Sequence, residues 1–374
     1  MARLPRISDR WILSAVAAGA VVLLGLAAVL LRLLPLGPSE TTGVPRIVFA
    51  AFGQTSDLIY VAPATKPDER KVVDTVEHAE GWGINPGPMH GDRLAYNVIP
   101  TGTPAQRGAP SELWLLDVAR GEKTRLARDA DLLVKPQFVD DGKAILYRRS
   151  DGDLQSILRV DIDSQARTVL HEERTAFGIF PIAEAGGALL FARLSTGGTD
   201  VFRKRDANAP EFAFHASNEI ARDWQLSPDG RSIAYLAPQP RGERVVYRAH
   251  VVSVADGTAL ALPEVAANGE QYGPVWTPDG ADLAVGQEPA GGTSAPVALL
   301  RPGSTPTALA APARGFDVPV AWSTGGTYLA ARTFDGQNST QAGRETAVVI
   351  AKNGTRYPLS APGEVILVGW LSNA

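Results

Sequence analysis

Side chains suited to catalysis or metal binding are sparse in this sequence and scattered along it. The five histidines, His78, His90, His171, His215 and His250, share no metal-ligand spacing. Cysteine is absent, which removes thiolate nucleophiles, disulfides and Cys-held zinc or iron–sulfur centres. No serine sits in a G-x-S-x-G elbow, and no glycine-rich phosphate loop opens a helix. Asp161-Ile162-Asp163 lacks the remainder of a calcium loop, and the sequons at Asn338-Ser339-Thr340 and Asn353-Gly354-Thr355 are matches frequent by chance. The expectation is therefore no cofactor, no metal and no assigned catalytic residue. Seven polar residues remain to be explained: Glu80, Lys135, Arg222, Asp223, Gln271, Asp317 and Glu364. Gathered round one opening, such mixed charges could hold a peptide terminus or another polar ligand. Left apart, they are hydrated groups that pair with one another.

Which of these applies depends on the elements that carry them, and a repeat supplies those elements. Seven apolar triplets begin at Ile47, Leu94, Ile145, Leu189, Ile233, Leu283 and Leu329, spaced 47, 51, 44, 44, 50 and 46 residues apart. That is the period of a four-stranded propeller blade. Tight turns precede most triplets, among them Ser227-Pro228-Asp229-Gly230 and Thr277-Pro278-Asp279-Gly280. Proline fixes φ in such a turn, aspartate bonds the nearby backbone and glycine takes the positive φ. A bulky apolar residue stands before each turn (Phe138, Ile182, Leu226, Trp276, Trp322), and Trp82, Trp224, Trp276, Trp322 and Trp370 recur with the blade period. The tryptophans read as core packing before ligand platforms. The first triplet has no such strand before it, and the last such strand, Val365-Ile366-Leu367-Val368-Gly369-Trp370, has no triplet after it. Each supplies what the other lacks, so the C-terminal strand is expected to close the ring beside residues 46–75.

The W-[ST]-P-D-G turn followed by an Ile-Ala-Tyr type of strand, clearest at 224–237 and 276–287, resembles the WD40-like repeat of TolB-type propellers. The resemblance spans residues 46–374 and implies an all-β, seven-bladed β-propeller of four-stranded antiparallel blades, with six or eight blades as the alternatives. It implies at most a role in protein–protein contact within an envelope complex. The chain departs from that family in showing no separate N-terminal α/β domain. In such a blade, the seven polar residues fall on the links entering each inner strand, at the mouth of a central channel. The connections 98–111, 238–244, 287–295 and 333–344 fall on the same face, as the long loops where binding would gather.

Trp11 to Leu31 carries no charge, and three arginines precede it. A run of this length spans the roughly 30 Å hydrocarbon core. The positive-inside rule keeps the residues before it in the cytoplasm. No A-x-A cleavage pattern follows, so the reading is an uncleaved anchor rather than a signal peptide. The expected organisation is a cytoplasmic tail at 1–10, a transmembrane helix at 11–34, a tether at 35–45 and an extracytoplasmic propeller at 46–374. The chain carries −4 in total and residues before 36 carry +3, which leaves −7 for the remainder, the wrong sign for nucleic acid. The expected partner is a protein, a peptide or an envelope polymer, held without catalysis. The alternatives are a hydrolase or lyase using channel carboxylates, and an accessory subunit of a membrane peptidase or transporter.

Overall fold

The continuous apolar runs of the repeat become the second strand of each sheet, because a strand there is buried on both faces between neighbouring sheets. Ile47, Val48 and Phe49, and Ile145, Leu146 and Tyr147, are all fully buried. In the computed structural model these strands organise seven sheets, an all-β seven-bladed propeller. The structure describes residues 43–372 apart from 105, 107, 206–207, 266–268 and 293. The segment read as a transmembrane helix lies outside the described residues, among which no helix is long and apolar enough to cross a membrane.

Blade 1 holds Arg46–Phe52, Ser56–Pro63 and Lys71–Glu77. Its inner strand is Glu364–Trp370, paired antiparallel to Arg46–Phe52 with Ile47 opposite Trp370. Blades 2 to 6 are four-stranded sheets whose inner strands are Asn85–Pro86, Gln137–Val139, Ile179–Ala185, Arg222–Leu226 and Gln271–Trp276. Blade 7 begins with Gly315–Trp322 and gains a fifth strand, because Ser294–Ala295 of the preceding loop lies parallel to its start.

The Asp-Gly turns are held by their own side chains. Ser227 Oγ donates to Asp229 Oδ1 at 2.6 Å, the same carboxylate accepts the Arg231 N–H, and Ser227 Oγ accepts the Ser232 N–H. These bonds hold the Asp229 carboxyl below its usual range. Gly230 completes the turn at φ +70°. Thr277 and Asp279 repeat the arrangement in blade 6. The tryptophans that end two inner strands fasten blade to blade. Trp276 Nε1 donates to the Gln225 carbonyl at 3.2 Å and Trp370 Nε1 to the Ala321 carbonyl at 3.0 Å, each on the inner strand of the blade before.

The inner strands are not regular. In blade 5 the pairing jumps from Arg222–Leu236 to Gln225–Ala234, so Asp223 and Trp224 stand opposite a single residue. Blade 6 has the same bulge at Gly273 and Pro274. Both bulges need a positive φ, +49° at Gly273 and +58° at Asp223. Blade 6 meets that need with the residue that takes it freely. Blade 5 meets it with an aspartate.

Candidate functional site

All seven inner strands line one central cavity of about 990 Å³. Of the seven polar residues singled out in the sequence, Lys135, Arg222, Asp223 and Glu364 lie on its wall. Glu80, Gln271 and Asp317 are placed elsewhere. Glu80 is exposed and accepts a bond from Gln54 Nε2 at 2.8 Å. Gln271 is buried, its Oε1 accepting the Ala249 N–H at 2.8 Å. Asp317 is buried under Thr333 Oγ1 at 2.6 Å and the two terminal nitrogens of Arg356 at 3.0 and 2.7 Å.

The reason is register. Counted back from the turn in each blade, Gln271 and Asp317 match Ala221 of blade 5, and all three are buried. Tyr272 and Val318 are the equivalents of Arg222 and reach the cavity. One step along a strand turns a side chain to the other face. Two further charged residues on the wall, Arg332 and Glu345, come from the second and third strands of blade 7 and carry no link signature in the sequence. The segment 238–244, read as a loop, is built instead from the ends of strands Ser232–Arg241 and Arg244–Ser253, closed by residues 242–243.

The charges in the cavity are unequally satisfied. Arg332 is neutralised by Glu345, with Nη2 to Oε2 at 2.7 Å, and this bond raises the guanidinium pKa. Arg222 lies over the Tyr247 ring, Cζ 3.9 Å from its centroid, and its Nε is 3.8 Å from Asp223 Oδ2. Lys135 and Glu364 have no hydrogen-bond or ion-pair partner among the described residues. Water reaches Lys135 and Asp223, yet protein surrounds them, and this confinement disfavours the charged form of each. Burial lowers the Lys135 pKa; Arg332 adds to that and Asp223 opposes it. Burial raises the Asp223 pKa against the pull of Arg222 and Lys135.

The rim is partly roofed. Loop 335–344 folds on itself through Gly336 N–H to Ala342 O at 2.8 Å and Gln337 N–H to Gln341 O at 2.9 Å. Ser339 Oγ, which also reaches the cavity, donates to Glu270 Oε2 at 2.6 Å on blade 6. Glu270 takes a second bond from the Tyr272 hydroxyl at 3.2 Å, and its own N–H donates to Glu288 at 2.8 Å. The buried Glu270 thus ties the loop of blade 7 to blade 6.

No histidine lines the cavity among the described residues. His78 is wholly buried between the Ala79 carbonyl (2.8 Å) and Asp57 (3.1 Å), with no hydroxyl beside it to activate. Among the described residues no three histidine, aspartate or glutamate side chains converge as a metal site. The arrangement is one of fixed charges in a confined, wet space, suited to recognising a polar group.

The solved structures place this geometry among known propellers. The chain is similar to TolB from Acinetobacter baumannii, with 16% identity, a TM-score of 0.51, and coverage of 87% of this chain and 66% of that one. It is similar to an oligogalacturonate lyase from Vibrio parahaemolyticus at 10% identity, TM-score 0.56 and 84% coverage of both chains. It is also similar to a prolyl endopeptidase at 14% identity and TM-score 0.54, covering 87% of this chain and 49% of that one. The fold is that of a TolB-like propeller. The chain spans just under two thirds of the TolB length and about half of the peptidase. No protein-family model and no curated protein matches the sequence.

Proposed function

We propose that this propeller is a non-catalytic binding module, carried outside the cytoplasm by the apolar segment at 11–34, that takes a protein, peptide or envelope-polymer ligand at the mouth of its central channel. The observation that carries the reading is the unspent charge on the cavity wall. The side chains of Lys135 and Glu364 make no hydrogen bond or close ion pair among the described residues, and Asp223 is held at φ +58° where the neighbouring blade has glycine. A carboxylate placed in a sparsely populated backbone conformation inside a cavity is a pattern that accompanies binding sites. A rigid ring presenting such groups needs little reordering to bind. The structural neighbours include TolB, a lyase and a peptidase, so the fold does not by itself choose between binding and catalysis.

The test is affinity capture on the full-length chain from the source envelope, run beside the triple variant Lys135→Gln, Asp223→Asn, Glu364→Gln. Partners retained by the first and absent from the second support a mouth ligand. Identical capture profiles would rule the mouth out as the binding site. Alkaline extraction of the same membranes tests the anchor, which is expected to hold the chain in the pellet.

A further inference from the structure

We infer that loop 335–344 is a latched lid on the cavity, held shut by Ser339 against blade 6 and pivoting where it joins its own blade. Its role in binding rests on the mouth-binding reading, to which it adds control of access.

The first observation is position. Ser339 and Ala342 of the loop line the cavity, and so do Phe334 and Glu345 at its two ends. The loop is part of the cavity wall, so a displacement of this segment changes the cavity itself.

The second observation is that the loop is a body of its own. Strand pairing in this part of blade 7 ends at Phe334 opposite Glu345. Beyond that point Asp335 Oδ1 accepts the Arg344 N–H at 2.7 Å. Asn338 Oδ1 accepts the N–H groups of Thr340 and Gln341 at 3.0 and 2.9 Å, and the Thr340 hydroxyl at 2.8 Å. The bonds from Gly336 to Ala342 and from Gln337 to Gln341 lie between these two sets. Gly336 sits so close to the Gln341 carbonyl that a Cβ there would collide with it. A segment tied this densely to itself moves as a unit and bends where the pairing ends.

The third observation is how the loop is fastened. Among the described residues its polar contacts with other blades converge on Ser339. The Ser339 hydroxyl donates to Glu270 Oε2 at 2.6 Å, and its N–H faces the Tyr272 hydroxyl. The receiving side is fixed. Glu270 is 8% exposed, its N–H is held by Glu288, and Glu288 in turn holds Arg244 at 2.9 Å. No cation lies within ion-pair distance of Glu270 among the described residues, so the hydroxyls of Ser339 and Tyr272 take the place of water on its carboxylate. Burial and the two glutamates raise the Tyr272 pKa, which keeps that hydroxyl a donor. A hydroxyl bonded to a buried carboxylate makes one of the stronger side-chain hydrogen bonds, and here a single residue supplies it.

The chain has no cysteine, so one introduced thiol reports alone. Val318→Cys places it on the cavity wall beside Tyr272 and Phe316, next to the latch, and Gln137→Cys places it on the blade 3 wall. The experiment times labelling by a bulky maleimide on the full-length chain without ligand. Ser339→Ala should speed labelling of the Val318→Cys chain about tenfold and leave that of the Gln137→Cys chain unchanged. Glu270→Gln, which keeps the shape and removes the charge, should act in the same direction. Matching melting curves exclude misfolding of the variants. Unchanged labelling of the Val318→Cys chain in both backgrounds makes the loop a fixed rim and overturns the lid. Equal acceleration at both positions reports a loosened ring and overturns it too. Labelling needs no ligand, so the two readings fail separately. A fixed rim leaves the mouth reading standing, and envelope capture that ignores Lys135, Asp223 and Glu364 removes the mouth reading while the lid remains.

Discussion

Asp223 combines an uncommon backbone conformation with a confined charge. Its backbone sits at a φ that blade 6 meets with Gly273, and its carboxyl faces a confined channel. Asp223→Gly keeps the bulge and relieves about 1 kcal/mol of strain, so it should raise the melting temperature while weakening ligand capture. Loss of both stability and capture would mean the side chain supports the ring. The pH dependence has a definite sign. Burial raises the folded pKa above the unfolded one, so folding favours the acid form. Its stabilising effect is full below the unfolded value and is lost as pH rises through the folded value. Asp223→Asn should therefore gain on the wild type in melting temperature across that interval, and a pH-independent difference would contradict the shift. Asp131 works in the opposite sense. Burial pushes its carboxyl up, but Arg148 and bonds from Leu133 and Ser150 outweigh it, and the pKa ends low. The pair is almost fully enclosed, with Arg148 Nη2 at 2.6 Å from Asp131 Oδ2. Asp131→Ala would strand the guanidinium and should cost about 3–5 kcal/mol in denaturant unfolding. A cost below 1 kcal/mol would show that water reaches Arg148.

At the scale of elements, what the sequence disclosed and what it concealed have separate physical causes. The second strands were legible because burial on both faces leaves an unbroken apolar run, as at Ile233-Ala234-Tyr235. The turns were legible because Ser227 and Asp229 stabilise them locally. Inner strands were harder. They are short, and the bulges at Asp223–Trp224 and Gly273–Pro274 shift alternation by one residue. Gln271 and Asp317 were accordingly assigned to the mouth although their register turns them into the blades. Arg332 and Glu345 were missed because their placement arises from pairing across blade 7, with Phe334 opposite Glu345. Residues 238–244 read as a loop because Pro238, Pro240 and Gly242 carry turn chemistry, yet the strands continue through both prolines. The ring is fastened by Trp370, which is 6% exposed and packs among Ile47, Phe49 and Ala330. Trp370→Ala should cost about 3–5 kcal/mol through the cavity and the lost bond to Ala321. Removing residues 364–374 should abolish the cooperative melt, and an unchanged transition would mean that the other blades hold the ring without it.

At the scale of the whole molecule, the disc divides its labour between a rigid ring and an uneven rim. Cutting the connection 99–109 leaves every sheet of the ring with its strands, so a chain nicked there should stay assembled and melt within a few degrees of the intact protein. Dissociation of the two fragments at low denaturant would show that this connection carries load. The pairing of Glu364–Trp370 with Arg46–Phe52 also has a bearing on biogenesis. During synthesis blade 1 is the first to emerge, and its inner edge has no mate until Glu364–Trp370 has been made. Over that interval Arg46–Phe52 is an unprotected strand edge, able to pair with the wrong strand or another chain. A nascent polypeptide halted anywhere before residue 364 keeps this edge exposed. Ring closure thus makes completion of translation itself the signal that distinguishes a finished molecule from one for a chaperone or protease to retain.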